Sequence, residues 1–285
     1  MSDLTQGWRG VASAPSPAAV TRPRLGAVDA VLSPFARRAF VLLLLALAWE
    51  LGARLENNPI MFPSFSQTAS AFVESVAVDD LLGSALASLG VLVKGYAIAI
   101  ALALALVSLA VANSFARDVL TTLTAMFNPL PAIALLPLAM LWFGLGEKSL
   151  IFVLVHSVLW PFALAALSGF ETVPETLRLV GRNYGLKGPA YVAKILIPAA
   201  LPALLSGLRI GWAFAWRTLI AAELIFGVSA RQGGLGWYIF QNRNELLTDK
   251  VFAGLGAVIL IGLLVDGLIF RSVETVTVRR WGMQR

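Results

Sequence analysis

Apolar residues in this chain come in long blocks, separated by short polar or charged stretches, with neither the strict alternation of strands nor the one-sided stripe of a surface helix. Blocks of about 20 residues match the length a helix needs to cross the hydrocarbon core of a bilayer. Six are read, at 35–54, 86–112, 119–143, 149–170, 204–226 and 251–270. Pro129, Pro131 and Pro137 interrupt the third, and Pro161 lies inside the fourth. Proline removes a backbone donor, so such positions need neighbouring helices or a cavity to satisfy the carbonyls. The third block therefore predicts a bent helix, either beside a pathway or as a packed kink.

Between the blocks the periodicity changes. Pro63-Ser64-Phe65-Ser66 is followed by Phe72, Val73, Val76 and Val78 among polar residues, which predicts a short surface helix. The connection at 171–203 is too long and too ordered for a plain linker. Pro174-Glu175 suits a helix start, and Leu177, Val180 and Tyr184 recur on one face. Gly185 and Gly188-Pro189 end that helix. Tyr191, Ile195 and Ile197 open a second amphipathic piece, closed by Pro198 and Pro202. Arg178, Arg182, Lys187 and Lys194 make this helix-turn-helix basic. It suits either a docked cytoplasmic partner or contact with anionic headgroups.

Composition agrees with a membrane setting. Hydrophobic residues make up 58% of the 285, and charged residues only 13%, about half of the roughly 25% of soluble domains. A soluble enzyme or a disordered chain is excluded on that ground. The absence of cysteine excludes a disulfide scaffold, thiolate catalysis and cysteine-held metals. The fold class expected is all-α and polytopic, with about six transmembrane helices. The net charge of +6 reads as cytoplasmic loop ends, with no nucleic acid as partner. Fourteen Lys and Arg fall in the N-terminal arm, the second and fourth connections and the tail, against five on the opposite side. Both termini are expected in the cytoplasm. The domains read as a largely disordered arm at 1–34, a membrane domain at 35–270 holding the loop at 171–203, and a tail at 271–285.

Ionisable groups inside spans are candidates for function. Arg217 and Glu223 lie six apart in the fifth block, about 120° from each other around a helix. Arg217 could supply positive potential to an anion pathway or pair with a carboxylate on a neighbouring helix. Glu223, near the outer end, could line the pathway or hold the loop that follows. Asn128, His156, Ser157, Trp160, Trp212 and Trp216 complete the candidate cavity lining. The lone histidine and scattered acids offer no metal site. The string Gly144-Leu145-Gly146-Glu147-Lys148-Ser149 lacks the glycine before lysine that a phosphate-binding loop requires. No ATPase activity is therefore expected of this chain.

From Gly185 through Ile195-Leu196-Ile197-Pro198 the chain resembles the second half of the EAA loop of ATP-binding-cassette importer permeases. The nine-residue spacing from Gly185 to Ile195 is kept, and Pro198 matches. The Glu-Ala-Ala positions fall on Leu179, Val180 and Gly181, so that half departs from the pattern. The segments Leu136-Pro137-Leu138, Trp142-Phe143-Gly144-Leu145-Gly146, Trp216-Arg217, Ala221-Ala222-Glu223-Leu224 and Gly233-Gly234-Leu235-Gly236 are similar to the nitrate, sulfonate and taurine branch.

The resemblance implies a type I importer permease fold in a bacterial cytoplasmic (inner) membrane. It implies a likeness to carriers of small anions or zwitterions, with an amino-acid or metal-chelate importer as the alternative. The implied partners are a second permease copy, two cytoplasmic ATP-binding subunits, a periplasmic or lipid-anchored solute-binding protein and membrane lipid. ATP and magnesium would sit on the partner ATPase, with no cofactor on this chain. The coupling helix would lie around 179–188, and Arg182, Tyr184, Gly185, Leu186, Lys187, Ile195 and Pro198 would carry the ATPase contact.

Overall fold

A computed structural model describes residues 33–226 and 233–279. Every regular element among them is helical. The chain divides into two compact units, Met1–Trp49 and Glu50–Arg285. The arm expected over 1–34 lies outside the described residues except for Ser33 and Pro34.

Helix α1, Pro34–Glu56, occupies the first expected span. Its uncharged stretch between Arg38 and Glu50 covers only residues 39–49. That is about 16 Å at 1.5 Å per residue, short of the hydrocarbon thickness. Helix α2, Phe65–Ala77, is the expected surface helix. It starts where Ser64 and Gln67 form a capping box: the Ser64 hydroxyl accepts from the Gln67 amide, and the Gln67 side chain accepts from the Ser64 amide. Helix α3, Leu81–Ala112, is the second span and begins five residues earlier than the apolar block, because Asp80 caps Gly83.

The third span differs from the expectation of one bent helix. It consists of α4, Ser114–Phe127, and α5, Leu136–Phe143, joined by a 3₁₀ turn at Ala132–Leu135, with a 90° bend. Pro129 and Pro131 fall in the break, while Pro137 sits in the first turn of α5. There its missing N–H would have had no helical acceptor, so it costs little.

Helix α6, Glu147–Glu171, is the fourth span and runs on through Pro161. It is followed by α7, Glu175–Asn183, and by α8, Gly188–Ala199, whose middle is π-helical over Val192–Leu196. A bend of 85° then leads into α9, Leu201–Phe226, the fifth span. The turn falls at Ala200, between the two prolines expected to end the loop. Helix α10, Leu235–Asn244, precedes α11, Thr248–Leu264. The last helix continues past the expected end at Phe270 to Arg279, through two π-helical stretches. Arg209 on α9 reaches Asp266 at 3.0 Å and Glu274 at 3.3 Å, holding this extension to the bundle.

Among the described residues three helices are long and apolar enough to cross a membrane alone, and each of two bent pairs could make one more, against the six expected. Helix α6 is central, packed along both α3 and α9. Small residues permit the close approach. A Cβ on Gly95 would meet Leu154 at 2.8 Å, and one on Gly207 would meet Ala165 at 2.7 Å. Phe162, Phe170, Leu150, Leu154 and Leu219 fill the core around these contacts.

Candidate functional site

The connection after α6 presents a bare apolar face. Leu177, Leu179 and Val180 are exposed, and Tyr184 is 82% exposed. Gly181, one turn on from Leu177, is buried under Tyr191 and Ile195, where a Cβ would meet ring and methylene carbons at 2.8–2.9 Å. Helix α7 thus turns its one glycine inward and its larger apolar side chains outward.

The end of α7 is a Schellman motif. The Leu186 amide donates to Gly181 O (3.0 Å), the Gly185 amide donates to Arg182 O (2.9 Å), and Gly185 has φ +70°. The coupling helix expected around 179–188 is therefore two elements. Residues up to Asn183 are helical, and 184–187 form the turn, because Gly185 takes the left-handed conformation that ends the helix.

Arg178 does not belong to the exposed basic face. Its guanidinium donates to Phe170 O (2.6 Å) and Val173 O (3.1 Å), capping the carbonyl end of α6. Arg182, Tyr184, Gly185 and Lys187 are exposed, and Leu186 is half-buried. Ile195 and Pro198 lie behind them, Ile195 against Gly181 and Pro198 beside the Ala200 bend. Both are half-buried, whereas Arg182, Tyr184, Gly185 and Lys187 are exposed. Arg178→Ala removes charged hydrogen bonds worth about 1.5–3 kcal/mol. A lower thermal stability of the purified protein and a faster-cleaved 171–203 connection in limited proteolysis are expected.

A second feature is a cavity of about 350 Å³ at the break of the third span. Asn128, Pro129 and Pro131 come from the break, His156, Ser157 and Trp160 from α6, and Phe214, Arg217 and Thr218 from α9. The prolines identify this wall: they stop the helix where the lining needs an irregular backbone. The His156 Nδ1 accepts from Trp160 Nε1 at 3.1 Å, and Trp160 stacks on Phe127 at 5.2 Å. Ser157 is turned back on its own helix, donating to Leu154 O. Phe214 and Thr218 were not anticipated from sequence. Phe214 lies one turn back from Arg217 and Thr218 one turn on from Phe214, a spacing that links the three on adjoining faces.

Three of the expected lining residues are elsewhere. Trp212 packs edge-on against Tyr96, with ring centroids 5.7 Å apart. Trp216 is buried and donates to Val258 O at 3.3 Å, so it ties α9 to α11. Both face the bundle because aromatic bulk fills gaps between helices there. Glu223 is fully buried, at 0% exposure. Its carboxylate accepts from Ser88 Oγ (2.8 and 3.0 Å to its two oxygens) and from the Gly236 amide (2.8 Å). Ser88 Oγ in turn accepts from the Leu235 amide at 2.8 Å. The start of α10 is thereby fastened to α3 and α9, with the carboxylate at a helix N-terminus, where negative charge is favoured. Glu223 holds the following loop, which was one of its two expected roles, and is not in the cavity.

Arg217 is not paired with any carboxylate among the described residues. Its Nε donates to Ala213 O at 3.1 Å, and its guanidinium lies 5.0 Å over the Phe214 ring.

At the end of the bundle that carries α10, Ser75 and Tyr238 share a hydrogen bond of 2.7 Å, and Lys250 meets Asp79 at 2.7 Å. Burial pushes the Tyr238 hydroxyl up from its ordinary range, partly offset by the Ser75 bond. These contacts join α2 to α10, and the turn after α2 to α11. No cluster of three or more His, Cys, Asp or Glu able to hold a metal occurs among the described residues.

Comparison with known proteins places these features. Residues 95–276 match the family described as binding-protein-dependent transport system inner membrane component. A Methanocaldococcus jannaschii protein named as an ABC transporter permease is 31% identical over 225 residues, 76% of this chain and 82% of that one. The nitrate import permease protein of Synechocystis sp. is 29% identical over 240 residues, 82% of this chain and 86% of its own. The taurine transport system permease protein of Escherichia coli is 35% identical over 150 residues, about half of each chain (53% and 53%).

Proposed function

The chain belongs to the family of inner membrane components of binding-protein-dependent transport systems, and from that premise we propose that it is the permease subunit of an ATP-driven importer of small anionic solutes. The relatives named for nitrate and taurine transport support the solute class. As a transport permease it is a multi-pass membrane protein and not itself an ATPase. The proposal adds that two copies of the chain enclose the solute route, that both termini are cytoplasmic, and that ATP and magnesium reside on two separate ATP-binding subunits. A solute-binding subunit outside the membrane delivers the solute.

The observation that carries this reading is the bare apolar face of α7 with the Gly185 turn at its end. Leu177, Leu179 and Val180 are each 42–49% exposed and Tyr184 is 82% exposed, so their own chain leaves much of their surface uncovered. Burying side chains of this size in a partner's groove is favourable by about 25 cal/mol per Å². Arg182, Tyr184, Gly185, Leu186 and Lys187 make the contact, with Ile195 and Pro198 bracing them from behind. Closure of the ATPase pair pushes on α7, and the packed bundle rocks about the cavity lined by Asn128, His156, Ser157 and Arg217.

The native chain has no cysteine, so a single Tyr184→Cys variant reports the location of the loop without background. We expect a membrane-impermeant maleimide to label it from the cytoplasmic side only, and bound ATPase to protect it. The complex with its ATPase and binding protein, reconstituted in liposomes, should take up nitrate or taurine only when ATP and binding protein are both present. Labelling from outside, or uptake indifferent to ATP, would overturn the reading.

A further inference from the structure

The cavity at the third-span break has a charge balance that a passive wall does not need. Its lining contains one guanidinium, Arg217, and no carboxylate. By contrast Lys94 meets Glu147, Arg117 meets Glu171, Arg209 meets Asp266, and Lys250 meets Asp79. Charge at membrane depth is costly unless it faces a partner or a water-filled cavity. Arg217 faces the cavity. The bond from its Nε to Ala213 O and the Phe214 ring beneath it hold the guanidinium. Both terminal Nη groups remain without a partner among the described residues.

A second, independent group points the same way. Because His156 Nδ1 accepts the Trp160 N–H, the proton of the neutral ring sits on Nε2. That Nε2 is buried and makes no full hydrogen bond, although the backbone of Leu130 and Phe127 lies close to the ring. An unmatched buried donor is expensive, and a bound acceptor relieves the cost. Asn128 and Thr218 add polar side chains to the same lining. The described lining therefore offers polar groups and a guanidinium, with no fixed negative charge to oppose an anion.

We infer that the permease has its own oxyanion-binding site here, with the two Nη groups of Arg217 forming a forked contact to the solute's oxyanion group and His156 Nε2–H supplying a further donor. Such a fork matches the geometry of carboxylate-like and sulfonate-like groups. A volume of about 350 Å³ lies at the small end of ligand pockets, so the occupant is a compact anion and not a peptide or a metal chelate. The permease then tests solute charge inside the membrane, after delivery. This rests on the import reading, and selects the solute class at a defined place within it.

The test is equilibrium binding to the purified permease–ATPase complex with the solute-binding subunit omitted, by calorimetry. The probes are nitrate and ethanesulfonate, with urea as a planar uncharged control. Binding of at least one anion by the native complex is expected, with urea at least tenfold weaker. Arg217→Gln should weaken anion binding at least tenfold. Arg217→Lys, which keeps the charge but loses the fork, should fall between them. Should Arg217→Gln fail to assemble, His156→Phe probes the same site, with a loss of about tenfold expected.

Equal anion binding by the native complex and Arg217→Gln would overturn the inference. So would equal binding of urea, unchanged binding in His156→Phe, or no anion binding by a complex that still imports anions with its binding subunit. A native complex that imports no anion under any condition sinks the import reading instead, so the two failures are distinguishable.

Discussion

Gly185→Asp is expected to reduce ATP-driven uptake at least tenfold while the protein reaches the membrane at near-native levels. The reason lies in the turn that ends α7. Gly185 has φ +70°, and a Cβ built there meets nothing within 4 Å. Aspartate is among the few side chains that tolerate the left-handed region, so the Schellman bonds from Leu186 and Gly185 survive and the chain folds. What changes is the proposed docking surface, where a carboxylate would stand between Tyr184 and Leu186. Loss of a central contact of this kind costs roughly 2 kcal/mol or more, enough to empty a moderately tight interface. Uptake in membrane vesicles, scored beside co-purification of the ATPase, measures it. Full uptake with the ATPase still bound removes Gly185 from the coupling surface.

Glu223→Ala should have the largest effect on stability. The substitution leaves the Gly236 amide and the Ser88 hydroxyl without their acceptor in a fully buried place. Each unmet donor costs about 1–3 kcal/mol, so a combined loss of about 2–6 kcal/mol is expected. For a chain of this size that corresponds to a fall of roughly 5–20 °C in the unfolding temperature. Gly236→Ala attacks the same junction from the other side, since its Cβ would stand 2.5 Å from Glu223 Cβ and 2.8 Å from Ile220 O. Unfolding temperatures of the two variants and of Ser88→Ala, measured in detergent, decide the matter. A native melting curve for Glu223→Ala would show that the junction carries no load.

Much of this arrangement is legible in the sequence because it follows from local rules. The capping box at Ser64 and Gln67, the helix start at Pro174-Glu175 and the stop at Gly185 each rest on a few neighbouring residues. The apolar blocks locate the helices for the same reason. What the sequence hides depends on distant partners. Three prolines predict a bend in the third span but do not distinguish a kink from a 90° break, which is set by packing against α6. Arg178 looks like one more surface cation until the open carbonyls of Phe170 and Val173 are seen beside it. Trp216, Arg217 and Glu223 lie close together on one helix, yet they serve a helix contact, the cavity and the junction with α10. Only the neighbouring helices separate those roles. Of these three, Arg217 is the one in the cavity lining, and it has no carboxylate partner among the described residues.

The Arg178 clasp has a mechanical consequence. It ties α7 to the last turn of α6, so in the proposed coupling a push on the loop would enter α6 at Phe170. Fourteen residues farther along that rod, about 21 Å at the helical rise, stands His156. Pro161 interrupts the hydrogen-bond ladder between the two points, which makes it the natural fulcrum for turning a stroke at one end into a change of cavity shape at the other.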